Sequence, residues 1–276
     1  MEMKIKLVAC DLDGTLLNDK GEVSRENLDA IKTLTERGIY FVPASGRAYA
    51  ELIPPLSENP YIRYYALSSG ANLYDKESDL SESVSISREA VRRAMEIFAE
   101  HEYFSLAHIG KECVMSAEAL RKTPLVYGYL RDLFFAVAVD IPNYESEIAN
   151  SDGVDMLCAV FESAEALDDV VKKVSEIPNV EIATGTLGRG IFNIEICAVG
   201  ADKGSAVARL ADKLGIPYDE VAVVGDSGND YSMISKFKNS FAVKNARSII
   251  KNAANYELCS NNEHAIAYLL KNFVED

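Results

Sequence analysis

Ile5-Lys6-Leu7-Val8-Ala9-Cys10-Asp11-Leu12-Asp13-Gly14-Thr15 holds the key to the fold. Apart from Lys6 its first half is continuously apolar, the pattern of a strand buried on both faces of a parallel sheet. The run ends abruptly on two carboxylates two residues apart, followed by a glycine. Ser24 then offers an N-cap to a helix carrying Leu28, Ile31 and Leu34 on one face, and Gly38 closes it. Apolar runs at Ile39–Ala44 and Tyr64–Leu67 follow, a βαβαβ order that favours parallel strands joined by right-handed crossovers.

The same rhythm returns at the other end of the chain. Gly204–Leu214 reads as a helix with Val207, Leu210 and Leu214 inward, and Val221–Val224 as the next buried strand. A helix through Met233, Ile234 and Phe237 precedes short strands at Phe241–Val243 and near Tyr256–Leu258. The two ends are therefore expected to be halves of one α/β, doubly wound, Rossmann-like parallel sheet. The middle differs in texture. It holds helices at Arg88–Glu100 and Ala164–Glu176, hairpin-like runs within Phe104–Ser116, β-runs at Phe134–Val139 and Met156–Phe161, and paired runs at Val180–Ala183 and Ile191–Ile196. We read residues 82–187 as an α+β domain inserted into a core made of residues 1–81 and 188–276. A length of 276 residues suits this, since single cores stop growing beyond roughly 250 residues.

Composition excludes several classes of function. With 43 acidic against 28 basic residues the formal charge is −15, which repels polyanions, so neither nucleic acid nor a membrane surface is an expected partner. No apolar run approaches the ~18 residues of a membrane span or forms a signal-peptide core. The cysteines at 10, 113, 158, 197 and 259 are odd in number and form no C-x-x-C pair, as expected of reduced core thiols in the cytoplasm.

Four short motifs carry candidate chemistry, each at the carboxyl end of a strand or the start of a helix. Asp11 and Asp13 would open into the binding crevice beyond the first strand, although an isolated D-x-D-G is equally a solvated turn. Gly225-Asp226-Ser227-Gly228-Asn229-Asp230 brings more oxygen ligands to the same sheet edge, and hard oxygens of this kind suit Mg²⁺. Ser45-Gly46-Arg47 offers a hydroxyl, a backbone N–H and a guanidinium to an anion, though alone it reads as a plain turn. Lys203 stands where a helix dipole disfavours a cation, by about 0.3–1 kcal/mol. By itself it is a solvated lysine beside Asp202; near clustered carboxylates it is their counter-charge. With Asp11, Asp226 and Asp230 ionised and Lys203 charged, the crevice would need one divalent cation for neutrality.

Taken together and in order, Asp11-Leu12-Asp13-Gly14-Thr15-Leu16, Ser45-Gly46-Arg47, Lys203-Gly204 and Gly225–Asp230 resemble the motifs of the haloacid dehalogenase superfamily, and within it the Cof-type phosphatases. The resemblance spans the chain and implies that residues 82–187 are an inserted cap. It implies Asp11 as nucleophile and Asp13 as general acid and base. It further implies Mg²⁺ held by Asp11, the Asp13 carbonyl, Asp226 and Asp230, with Asn229 nearby, and a small phosphorylated metabolite as substrate, bound through its phosphoryl group by Ser45, Gly46, Arg47, Asn229 and Lys203. A phosphomutase would need the same acids, and a silent phospho-ligand binder is a further alternative. Ser69-Gly70-Ala71 stands where many Cof-type members have Asn-Gly-Ala, and Asn261-Asn262-Glu263-His264-Ala265-Ile266-Ala267 lacks their Asp-Gly. His101, His108 and His264 lack metal-ligand spacing and read as structural or surface residues. Tyr127, Tyr129, Phe134 and Phe135 read as core of the inserted domain. Monomer and homodimer are both compatible with the sequence.

Overall fold

The computed structural model describes residues 3–186 and 190–275. The chain divides into two compact units: the first holds residues up to Gly46, Ile53–Ser81 and Asp202 onward, and the second holds Arg47–Leu52 and Glu82–Ala201. The expected boundary between 187 and 188 falls outside the described residues. Strand Phe192–Ala198, which follows it, pairs along its length with Val180–Thr186 and with Met156–Phe161, so the second unit runs on to Ala201.

In the first unit, Leu7–Cys10 lies inside a five-stranded sheet of order Tyr256–Glu257, Asn239–Ala242, Val221–Gly225, Leu7–Cys10, Tyr40–Pro43. Every pairing is parallel. All four residues of Leu7–Cys10 are fully buried, which is why the run has no polar alternation. From this strand the chain first builds outward on one side, to Tyr40–Pro43, and later returns to build on the other, through Val221–Gly225. The order thus reverses between two adjacent strands, Leu7–Cys10 and Val221–Gly225, and that reversal is where an open α/β sheet leaves a crevice.

Helix Arg25–Glu36 is capped by Ser24, whose hydroxyl accepts the Asn27 N–H, and it buries Ala30, Ile31 and Leu34. Asn27 is itself buried. Its side chain donates to the Leu16 carbonyl and accepts from the N–H groups of Ile266 and Ala267, joining the loop after the first strand to the C-terminal helix Ala265–Phe273. The third run of the expected βαβαβ order, Tyr64–Leu67, is a strand. Tyr64–Leu67 touches the main sheet through one parallel bridge, Ala44 to Ala66, and pairs antiparallel with Asn72–Asp75. The intervening turn holds Ser68, Ser69 and Gly70 at positive φ, doubling the chain back on itself.

The second unit is built on a six-stranded sheet of order Val180–Thr186, Phe192–Ala198, Met156–Phe161, Tyr103–Ile109, Glu112–Met115, Val139–Asp140. Helices Arg88–Phe98 and Ala164–Val174 supply Val91, Phe98, Val170 and Val174 to one core against Leu157, Phe161 and Ile194. A separate cluster gathers Phe104, Leu106, Cys113, Met115 and Val160. The expected strand over Phe134–Val139 is instead the end of helix Gly128–Val137, with strand pairing only at Val139–Asp140. Leu130, Phe134 and Ala138 recur at a helical spacing of four and pack on that second cluster, the periodicity that a short apolar run conceals. Tyr127 packs there too, but Tyr129 and Phe135 are exposed and are not core residues.

Candidate active site at the sheet reversal

Asp11 and Asp226 each follow directly on one of the two strands that flank the reversal, so the topology alone brings them together. The Asp11 N–H still donates to Val224, and the next turn is tight: Thr15, Leu16 and Leu17 all donate to the Leu12 carbonyl. Gly14, at φ +82°, lets this loop approach Asp226, because a Cβ there would lie 2.8 Å from Asp226 Oδ2. Thr15 Oγ1 donates to Asp226 Oδ1 at 3.5 Å.

Asp230 turns back toward its own loop. Its Oδ2 accepts the N–H groups of Asp226 and Ser227 at 2.9 and 3.0 Å, which leaves Oδ1 for Lys203. Lys203 is the first residue of helix Lys203–Leu214, capped by Asp202, whose carboxylate accepts from Ser205 N–H and Oγ. Gly204 permits the close seating of this helix, since a Cβ there would lie 2.4 Å from the Ser232 carbonyl oxygen.

Lys203 Nζ lies 2.6 Å from Asp11 Oδ1 and 2.7 Å from Asp230 Oδ1, with its side chain wholly buried. The isolated reading of a solvated lysine is thereby corrected: the two carboxylates supply the solvation that burial removes. Burial alone would lower the ammonium pKa, but Asp11 and Asp230 outweigh it and hold the group above its usual value. Burial pushes the Asp11 carboxyl up to about 7 against the attraction of Lys203, with the charges of Asp230 and Asp226 acting in the same sense as burial. Asp226 is also raised, by burial and then by Asp230.

The acidic charge here thus exceeds the cation available to balance it. Among the described residues, nothing hydrogen-bonds the buried Asp11 Oδ2, and Asp11, Asp226 and Asp230 offer oxygens all within 4.8 Å of one another. Hard oxygens, surplus negative charge and an orphaned buried acceptor fit a small divalent cation.

The other expected residues take varied places. Asp13 is exposed on the loop two residues beyond Asp11. Ser45 is buried at the end of the strand neighbouring Leu7–Cys10, its backbone tied to Ala66 and Ser69. A Cβ on Gly46 would meet Ser69 Oγ at 3.4 Å. Arg47 opens the short segment of the second unit and donates to the Glu51 carbonyl at 3.3 Å. Asn229 is exposed and accepts from Ser227 Oγ, outside the carboxylate cluster. His101 Nε2 lies 2.8 Å from Asp169 Oδ2 and His108 Nε2 lies 3.1 Å from Glu51 Oε2, both away from the carboxylate cluster.

Sequence reading missed several supports. Thr15 lies within the first motif, but only the proximity of Asp226 gives its hydroxyl a role. Asn245 donates to the Gly14 carbonyl at 2.7 Å and accepts the Asn261 N–H, and the Arg247 N–H donates to the Asp226 carbonyl. No local pattern marks these residues.

Residues 8–270 match the family model described as haloacid dehalogenase-like hydrolase. Phosphatase YwpJ of Bacillus subtilis (strain 168) is 28% identical over 287 residues, covering 98% of this chain and all of that protein. The 5-amino-6-(5-phospho-D-ribitylamino)uracil phosphatase YbjI of Escherichia coli (strain K12) is 28% identical over 96% of this chain and 94% of its own. A solved haloacid dehalogenase-like hydrolase from Bacteroides thetaiotaomicron superposes with a TM-score of 0.81 at 26% identity, over 97% of this chain and 99% of that one.

Proposed function

Because the chain belongs to the haloacid dehalogenase-like hydrolases, we propose that it hydrolyses small phosphomonoesters through a covalent intermediate on Asp11. The observation that carries this is the Asp11 carboxylate itself: Oδ1 is fixed by Lys203 while buried Oδ2 has no hydrogen-bond partner among the described residues. An oriented, underused oxygen at a sheet reversal suits attack on phosphorus.

In the first half-reaction Asp11 oxygen bonds to phosphorus and the ester P–O bond breaks, Asp13 giving its proton to the departing alcohol oxygen. In the second, Asp13 takes a proton from water, the water oxygen attacks phosphorus, and inorganic phosphate leaves with Asp11 regenerated. Exposure of Asp13 lets it serve both a leaving group and incoming water. Lys203 holds Asp11 in place and, with Ser45 and the Gly46 N–H, binds phosphoryl oxygens, while Asn229 borders the same loop. Asp11, the Asp13 carbonyl, Asp226 and Asp230 would hold Mg²⁺, which when bound offsets phosphoryl charge. The second unit, Arg47 included, is the cap that selects the substrate.

The relatives named above as phosphatases support this class of substrate, and the ribitylamino compound adds a phosphorylated polyol chain to sugar phosphates as a candidate. Phosphate release across such a panel tests the proposal. Release with Mg²⁺, lost on chelation and in Asp11→Asn, is expected; turnover that survives Asp11→Asn overturns the mechanism.

A further inference from the structure

The second unit holds another cluster of ligand-type side chains, of a different composition from the first. Along strand Tyr103–Ile109, alternate residues Phe104 and Leu106 join one apolar cluster, and His108 continues that face. Its cross-strand partner in the hairpin is Cys113, a member of the same cluster. The short segment Arg47–Leu52 is tied onto this hairpin, with the Ala50 N–H donating to the Lys111 carbonyl at 3.0 Å. It delivers Glu51, whose Oε2 accepts the Ala48 N–H at 2.7 Å and lies 3.1 Å from His108 Nε2. Glu51, His108 and Cys113 are 8%, 2% and 0% exposed, and their ligand atoms lie within 4.8 Å of one another.

Two simpler roles are open to these residues. A nucleophilic cysteine needs a stabilised thiolate, whereas burial, with Glu51 and Glu112 nearby, pushes the Cys113 thiol up. A bare Glu51–His108 ion pair accounts for two of the three side chains and leaves the third a bystander. A cation accounts for all three. With one thiolate, one carboxylate and a neutral imidazole, a divalent ion closes these three ligands to zero net charge, which suits an apolar interior.

We propose that Glu51, His108 and Cys113 form a binding site for a zinc-class divalent cation, separate from the oxygen-only cluster around Asp11. Mixed sulfur, nitrogen and oxygen donors select such an ion, while the all-oxygen set selects Mg²⁺. On binding, the Cys113 thiol proton passes to solvent and the sulfur bonds the metal. The site would fasten Arg47–Leu52 to the hairpin. It does not rest on the phosphatase reading.

The test is titration of the full chain with Co²⁺ in excess Mg²⁺, so that the oxygen cluster is already filled. One equivalent should bind with a thiolate-to-cobalt charge-transfer band, absent in Cys113→Ser, and His108→Ala should weaken binding at least about tenfold. No such band, or an unchanged band in Cys113→Ser, overturns the site and leaves an ion pair. X-ray absorption on the zinc-loaded wild type needs no variant to fold. A sulfur neighbour at about 2.3 Å supports the site, and a shell of only nitrogen and oxygen overturns it.

Discussion

Lys203 donates to Asp11 across 2.6 Å with its own side chain fully buried. A buried cation held between Asp11 and Asp230 cannot be removed without leaving two carboxylates uncompensated. Lys203→Met should therefore destabilise the metal-free protein by about 3–5 kcal/mol. Urea unfolding in the presence of a chelator measures this, and a loss under about 1 kcal/mol would contradict the coupling.

Mg²⁺ should raise the unfolding temperature in a concentration-dependent way, because only the folded chain presents the three carboxylates together. At a hundredfold excess over Kd the gain is about 2.7 kcal/mol. Asp226→Asn should blunt the response. Equal thermal shifts in the two proteins would remove Asp226 from the ligand set.

The helix that carries Lys203 depends on its cap. Asp202 is partly buried, a factor that raises its pKa, yet hydrogen bonds from Ser205 and Ser232 prevail and hold the carboxyl below its ordinary value. A depressed acid contributes stability above its unfolded pKa, about 3.9, and loses it as pH falls through the lower folded value. Asp202→Ala should thus cost about 1 kcal/mol at pH 7, and the gap from wild type should narrow in the acid range below the unfolded value. A gap that widens on acidification refutes this sign.

Two glycines in the motifs should respond unequally to alanine. At Gly204 the added Cβ would meet the Ser232 backbone, so the helix must shift and carry Lys203 with it. We expect a loss of about 1–3 kcal/mol and a fall in turnover. At Gly228 a Cβ meets nothing within 4 Å, and the change should stay within about 0.5 kcal/mol. Chemical denaturation of both variants decides, and equal losses would show that backbone crowding is not the cause.

Much of the first unit was legible because its signals are local. Asp11 and Asp226 end buried apolar runs, and parallel-sheet topology converts that shared position into proximity. The pairing of Lys203 with both Asp11 and Asp230 was legible only as a charge imbalance, since nothing near Lys203 in sequence explains a cation at a helix start. The end of helix Gly128–Val137 reads as a strand in the sequence because aromatic and branched residues in a short apolar run carry no decisive period. The approach of Glu51 to His108 joins residues 57 apart in the chain through an excursion of six residues. No pattern in either neighbourhood announces it.

That excursion sets a rule for building chimeras. The chain passes between the two units at 46/47, 52/53, 81/82 and 201/202, so the second unit is two inserts rather than one. Transplanting residues 82–201 alone into another scaffold would carry His108 and Cys113 but leave Glu51 and Arg47 behind. A faithful graft must move both pieces, and one that moves only the longer piece would test a module that this chain does not contain.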